Sequence, residues 1–246
     1  MAKRNVVENN VIEIEKKSKK LTLDDLTRIK PLTKNQSKFF NQYSSSNFFI
    51  LSGVAGTGKT MISLYKAFEE VLSKETNCNK IIIVRSAVPS RDVGALPGNL
   101  SEKTEIYELP YHDICSKLFN RRDAFSKLKE QNYLEFMSTS YVRGLTLDNT
   151  IIIVDEIQNL TEHEADSIIT RMGKDSKIIF CGDIFQNDLV MSREKSGFST
   201  LINVSKYMPT TKHIEFGIDD IVRSDFIREY IIAKLRIKDE NNRRTI

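Results

Sequence analysis

Gly53-Val-Ala-Gly-Thr-Gly-Lys-Thr60 is the stretch whose reading decides the fold. It fits G-x-x-x-x-G-K-[ST], a phosphate-binding loop, and its flanks supply the context that pattern needs. Phe48-Phe-Ile-Leu51 reads as a short buried strand, and Met61-Ile-Ser-Leu-Tyr-Lys-Ala-Phe68 as a helix. Glycines let successive N–H groups curl around an anion, and the N-terminus of the following helix adds partial positive charge. The candidate nucleotide-binding residues are therefore Gly53, Val54, Ala55, Gly56, Thr57, Gly58, Lys59, Thr60 and Met61. Lys59 is expected to reach the β- and γ-phosphates, and the Thr60 hydroxyl to ligate Mg²⁺. A plain Gly-rich turn ahead of a helix would not need the strand, the lysine and the threonine together.

Thr150-Ile-Ile-Ile-Val-Asp155-Glu156 is the second strong signal. An apolar, β-branched run ending in two acids describes a central strand that delivers carboxylates to a site. Buried strands seldom end in paired acids without a cation to offset them. Asp155 is the expected Mg²⁺ residue, acting through the water shell, and Glu156 the residue that polarises the attacking water. Taken alone, the motif also fits a strand running into a polar turn. A further strand, Lys177-Ile-Ile-Phe-Cys181, leads into Gly182-Asp183-Ile-Phe-Gln186, where Gln186 is the candidate γ-phosphate sensor.

Length and composition fit this reading. The chain has 246 residues, 40% of them hydrophobic, which suits one sizeable α/β domain with short appendages. No apolar run approaches the ~20 residues of a membrane span, and the polar start does not resemble a signal peptide, so a cytoplasmic protein is expected. Cys78, Cys115 and Cys181 form no C-x-x-C pair and show no ligand spacing with the three histidines, which argues against zinc. The net charge of +4 permits contact with nucleic acid without requiring it. Lys16, Lys17, Lys19 and Lys20 form a local basic cluster, and Arg243-Arg244 lie near the other end.

Residues 1–30 read as a polar N-terminal arm, with a Thr22-x-x-Asp25 capping box inside it, residues 31–237 as the ATPase domain and residues 238–246 as a charged tail. A short helix is predicted from Thr33. It carries Gln36, which is either an adenine-reading glutamine of the kind found upstream of this loop in helicase-like ATPases or a surface residue. Lys80-Ile-Ile-Ile-Val-Arg85 predicts a buried parallel strand, with a Gly/Pro-rich ligand-binding loop after it through Gly98. Residues 101–122 read as a helix interrupted near Pro110, and Tyr133 to Met137 as a strand. Tyr141 to Thr146 reads as a loop exposing Arg143. His213 to Phe216 reads as the last strand, followed by an amphipathic helix reaching Ile237.

Together these motifs resemble the PhoH-like proteins, RecA-like ATPases of bacteria that bacteriophages frequently encode. The resemblance runs from about Thr33 to Ala233. Beyond the phosphate loop it rests on Arg85-Ser-Ala-Val88, Leu96-Pro-Gly98, Tyr141-Val-Arg-Gly-Leu-Thr146 and Asp155-Glu-Ile-Gln-Asn159. Ile169-Thr-Arg-Met-Gly173, Gly182-Asp-Ile-Phe-Gln-Asn-Asp188 and Asp220-Ile-Val-Arg223 complete it. The family pattern is similar to the N-terminal half of superfamily 1 helicases. It departs here at Ser86, usually Pro, at Ala95, usually Phe, at Ile157, usually Ala, and at Ser224, often His.

The resemblance implies a three-layer, RecA-like P-loop fold with a mostly parallel central sheet. It places the Lys177 strand between the phosphate-loop strand and the Asp-Glu strand, with Gln186 beside the γ-phosphate. Arg223 matches the family's Val-Arg position and is a candidate arginine finger or phosphate sensor, unless it simply pairs with Asp219 or Asp220. The expected catalytic set is then Lys59, Glu156, Gln186 and Arg223.

The function expected is Mg²⁺-dependent ATP binding and hydrolysis, acting on or with RNA or single-stranded DNA. ATP is favoured over GTP because no Asn-Lys-x-Asp sequence occurs. One RecA-like half cannot close a helicase cleft alone, so a homo-oligomer is expected, a hexamer by resemblance. Neither strand separation nor RNA cleavage follows from these motifs. Two other readings stay open: an ATP-switched nucleic-acid binder without motor activity, and a structural or host-interaction protein with little turnover.

Overall fold

Runs of isoleucine, valine and phenylalanine bounded by polar turns build the centre of this molecule. The computed structural model describes residues 20–86, 100–183 and 197–244. In it, β1 (Phe48–Gly53), β4 (Thr150–Asp155) and β5 (Lys177–Gly182) are buried along their whole length, and β2 (Lys80–Arg85) is buried except at its ends. Two strands with more open sides, β3 (Leu134–Ser138) and β6 (Thr211–Phe216), form the edges. The strand order is β3-β2-β4-β5-β1-β6, and every pairing is parallel. β5 thus lies between β4 and β1, as the family resemblance implies, and the sheet is wholly parallel rather than mostly so.

The two-residue period of a strand splits the apolar side chains between two layers. Ile151, Ile153, Ile179, Phe49 and Leu51 face a core shared with α1 (Lys34–Gln42), α2 (Lys59–Ser73), α3 (Leu100–Phe119) and α4 (Ala124–Glu130). Ile152, Val154, Ile178, Phe180 and Ile50 face the other, with Ile168 of α6 (Glu162–Ile169) and Leu201 of α7 (Gly197–Ser205). Helices on both faces of a parallel sheet make the three-layer α/β arrangement of P-loop proteins. Among the described residues, no helix is long and apolar enough to cross a membrane.

Several local expectations change. Pro110 lies inside a continuous α3 instead of interrupting it. Proline costs a helix one hydrogen bond, but Tyr111, Cys115 and Leu118 are fully buried just beyond it, and their packing carries the helix through. Thr139 to Val142 forms a short helix, α5, where a loop was expected, while Arg143 is exposed as expected. The Thr22–Asp25 capping box closes a single 3₁₀ turn, with Leu21 and Leu26 buried in the core, so the part of the expected arm from residue 20 on is packed. α8 (Asp225–Arg244) continues through the stretch read as a frayed tail. The Gly/Pro-rich loop at 87–99 and Gln186 lie outside the described residues.

Parallel strands start and stop at a common level, so β1, β2, β4 and β5 deliver Gly53, Arg85, Asp155 and Gly182 to one edge of the sheet. Register ties Arg85 to Asp155 and Ser52 to Gly182. On the far side, Gly53 adopts a φ of 128°, and a β-carbon there would sit 2.0 Å from the Phe216 carbonyl oxygen on β6. Gly53→Ala should therefore lower the urea midpoint of unfolding, with backbone strain alone costing ~1–3 kcal/mol. An unchanged midpoint would mean that β6 does not press against the loop.

Candidate active site

The phosphate loop leaves β1 at Gly53 and enters α2 at Lys59, with Gly56 and Gly58 both in the left-handed region (φ 78° and 79°). The Lys59 ammonium, nearly buried, donates to the carbonyls of Gly53 (3.0 Å) and Val54 (2.8 Å) and to Thr57 Oγ1 (3.2 Å). Its own loop therefore holds it at the mouth of the turn. Burial lowers its affinity for the proton, and the charge of Asp183 is the first of several acidic neighbours opposing that.

The loop is braced on two sides. Val54 N–H donates to the Phe216 carbonyl and Val222 N–H to the Gly56 carbonyl, both at 3.0 Å. The Arg223 side chain lies directly over Gly56, with Cγ 3.0 Å from where a β-carbon would stand. Among the described residues, Arg223 makes no ion pair with Asp219 or Asp220. Asp220 instead accepts from Asn35 Nδ2 (2.7 Å) and Gly217 N–H (2.9 Å), and Asp219 faces Arg228 at 3.8 Å. Gln36 stands beside Val222 against Gly58, and is buried and so not a surface residue. Its Nε2 donates to the Thr57 carbonyl (2.9 Å), and its Oε1 accepts from Leu32 N–H (2.8 Å).

Strand β4 brings the two acids to this loop. Asp155 Oδ1 accepts from the Thr60 hydroxyl at 2.9 Å, and Oδ2 accepts from the Tyr111 hydroxyl at 3.0 Å. Burial raises the Asp155 carboxyl above its usual range, opposed by those two hydrogen bonds and by the charge of Arg85. Glu156 is raised as well, first by burial and then by the Asp155 charge, and here the charge of Arg85 is the first opposing group. Glu156 sits at the left-handed turn that ends the strand (φ 55°). Thr60 and Asp155 form a pair of hard oxygen donors within 2.9 Å, one of them a desolvated carboxylate, and that chemistry fits Mg²⁺.

Four residues given no role from the sequence belong to this site. Arg85 ends the strand beside Asp155, and its guanidinium lies 5.7 Å from the Tyr107 ring. A cation closing the strand next to the Asp-Glu strand was the signal available. Gln158 donates to Glu156 through Nε2 and accepts from Asp183 N–H at Oε1 (3.0 Å), joining the ends of β4 and β5. It stood within the quoted Asp-Glu-x-Gln form. Glu164 accepts from Ser86, Thr139 and Thr161, so one carboxylate ties the turns after β2, β3 and β4. Ser86 makes its contact with a hydroxyl that the family's usual proline lacks. Tyr111 had no local signal at all.

Comparison with known proteins bears on the family of the chain. The family model for PhoH-like protein matches residues 28–234. A PhoH-like protein of Mycobacterium leprae is 32% identical over 218 residues, covering 87% of this chain and 61% of the relative. One from Bacillus subtilis is 32% identical over 234 residues, covering 95% of this chain and 72% of the relative. This chain therefore spans less than two thirds of the mycobacterial relative's length. Among solved structures, the large terminase of a thermophilic bacteriophage, in complex with ADP, aligns at 15% identity with a TM-score of 0.45. That alignment covers 81% of this chain and 49% of the terminase. With a phosphate loop, an Asp-Glu strand and the family pattern matched across most of its length, the chain belongs to the PhoH-like protein family.

Proposed function

We propose that this protein binds and hydrolyses ATP with Mg²⁺ and couples turnover to RNA or single-stranded DNA as a homo-oligomer. The observation that carries the reading is the meeting of Thr60 and Asp155, from α2 and β4, at the mouth of the phosphate loop with Glu156 next in chain. Thr60 and Asp155 would hold Mg²⁺, which when bound would offset charge on the β- and γ-phosphates. Lys59 donates to the same phosphates, and the loop N–H groups cradle them. Glu156, oriented by Gln158, accepts hydrogen bonds from the attacking water and fixes its line of approach. Gln186 remains the proposed γ-phosphate sensor. Gln36 remains the proposed adenine-reading residue, a role supported by its place against the Thr57 carbonyl.

Arg223 lies over the loop of its own chain, which supports a phosphate-sensing role there rather than that of a finger reaching a neighbour. Support for an oligomer comes from α8, where Phe226 (78% exposed), Tyr230 (62%) and Ile237 (59%) leave apolar surface open close to the site. Support for a nucleic-acid partner comes from exposed Tyr141 and Arg143 following β3, an aromatic for base stacking and a cation for phosphate.

Lys59→Ala is expected to cut ATP turnover by ~10²–10³-fold; equal turnover by variant and wild type would overturn the reading. In the same assay, single-stranded RNA or DNA should raise the wild-type rate, and an unaltered rate counts against a nucleic-acid partner. Light scattering should give a mass above the 28.3 kDa monomer, with and without ATP.

Glu156→Gln should abolish turnover while ATP still binds. The same variant has a pH signature. A carboxyl whose folded pKa is raised costs stability at pH above both values and nothing below the unfolded value. Glu156→Gln, which keeps an oxygen for Gln158, should therefore melt at higher temperature than wild type near neutral pH. The advantage should disappear below the ordinary glutamate value of about 4.3. Melting curves at pH 8 and pH 4 read both limits.

A further inference from the structure

The head of α2, the central strand β4 and helix α3 converge on Asp155. Both of its carboxylate oxygens are engaged, Oδ1 by the Thr60 hydroxyl and Oδ2 by the Tyr111 hydroxyl. A carboxylate can rotate about its terminal bond, and a single donor leaves open which oxygen faces the loop. Two donors from different elements fix the plane. Thr60 belongs to the site and would itself touch the metal, so its hydroxyl is a shared resource. The hydroxyl of Tyr111 is not shared. Its ring is fully buried in the core, tilted against Phe136 at 5.7 Å between centroids, so the core sets its position independently of any ligand.

We propose that Tyr111 is the positioning residue for the metal-binding carboxylate: by donating to Oδ2 it reserves that oxygen and presents Oδ1 to Thr60, so the pair stands ready for Mg²⁺ before nucleotide arrives. The inference rests on the ATPase reading above and deepens it. Tyr107, one turn earlier on α3, lies against Arg85, whose charge acts on both Asp155 and Glu156. A single helix face therefore touches both the hydrogen bond that orients the acid and the cation that offsets it. Burial keeps the Tyr111 hydroxyl protonated far above neutral pH, so it stays a donor throughout the working range. A tyrosine that merely satisfied its own buried hydroxyl would have no bearing on Mg²⁺.

Tyr111→Phe removes only the hydroxyl and keeps the ring that packs on Phe136. Binding of a fluorescent ATP analogue is measured in EDTA and across a Mg²⁺ titration, beside turnover over the same titration and a melting curve. The expected result is an affinity in EDTA equal to wild type, a Mg²⁺ requirement raised about tenfold for both binding and turnover, and a KM for ATP at saturating Mg²⁺ that is unchanged. Phe136→Leu, which loosens the packing but leaves the hydroxyl, should lower the melting temperature without that shift in Mg²⁺ requirement. If the Tyr111→Phe titration superimposes on wild type, Tyr111 is structural only and the inference is overturned, whatever happens to the melting temperature. If wild type itself shows no Mg²⁺-dependent binding or turnover, the ATPase reading fails, and this inference with it.

Discussion

A carboxylate at the end of a fully buried strand must be given partners, and this requirement organises the centre of the molecule. Ile151 to Val154 are completely inaccessible, and Asp155 follows them with little more exposure. Removing such a charge from water costs several kcal/mol even after relaxation. The structure offsets that cost from three directions: the Thr60 hydroxyl at the head of α2, the Tyr111 hydroxyl inside α3, and the charge of Arg85 on the neighbouring strand. Even so, the Asp155 carboxyl stays above its ordinary range, as does Glu156 beside it. Two acids kept short of compensation form a local environment that favours a cation.

The same edge of the sheet is tied together by side chains that carry no chemistry themselves. Gln158 spans Glu156 and the backbone after β5, so the position of Glu156 depends on the end of that strand. Glu164 gathers the turns after β2, β3 and β4 onto the capping box of α6. On the opposite flank, backbone bonds from Phe216 and Val222 hold the phosphate loop, and Arg223 lies over its glycine. A change at the loop is thus mechanically joined to β6 and α8 on one side and to the β4 and β5 turns on the other.

Much of the architecture could be read from local pattern. The β2, β4 and β5 runs are apolar without interruption because both faces of each strand are covered, and that composition is visible in a window of six residues. The phosphate loop was equally legible, since glycine, lysine and threonine occupy positions set by a single turn of backbone. Errors fell where packing overrode local preference. Pro110 predicts a break, yet the buried side chains beyond it hold α3 continuous. Gln36 could have been a surface residue, and only the tertiary structure buries it against the Thr57 carbonyl of the phosphate loop.

By itself, then, the sequence determined the strands, the phosphate loop and the acids at the end of β4, because each depends on residues adjacent in the chain. Its family resemblance supplied the place of β5 in the sheet. Only the tertiary structure decided which groups those acids meet. Thr60 reaches Asp155 across 95 residues and Tyr111 across 44, and such contacts follow from strand order and helix packing rather than any local spacing. Arg223 likewise could face its own loop or a neighbour's until β6 placed the segment after it over Gly56. The chain specifies the chemistry group by group, and the parallel sheet assembles it by making its strands end together.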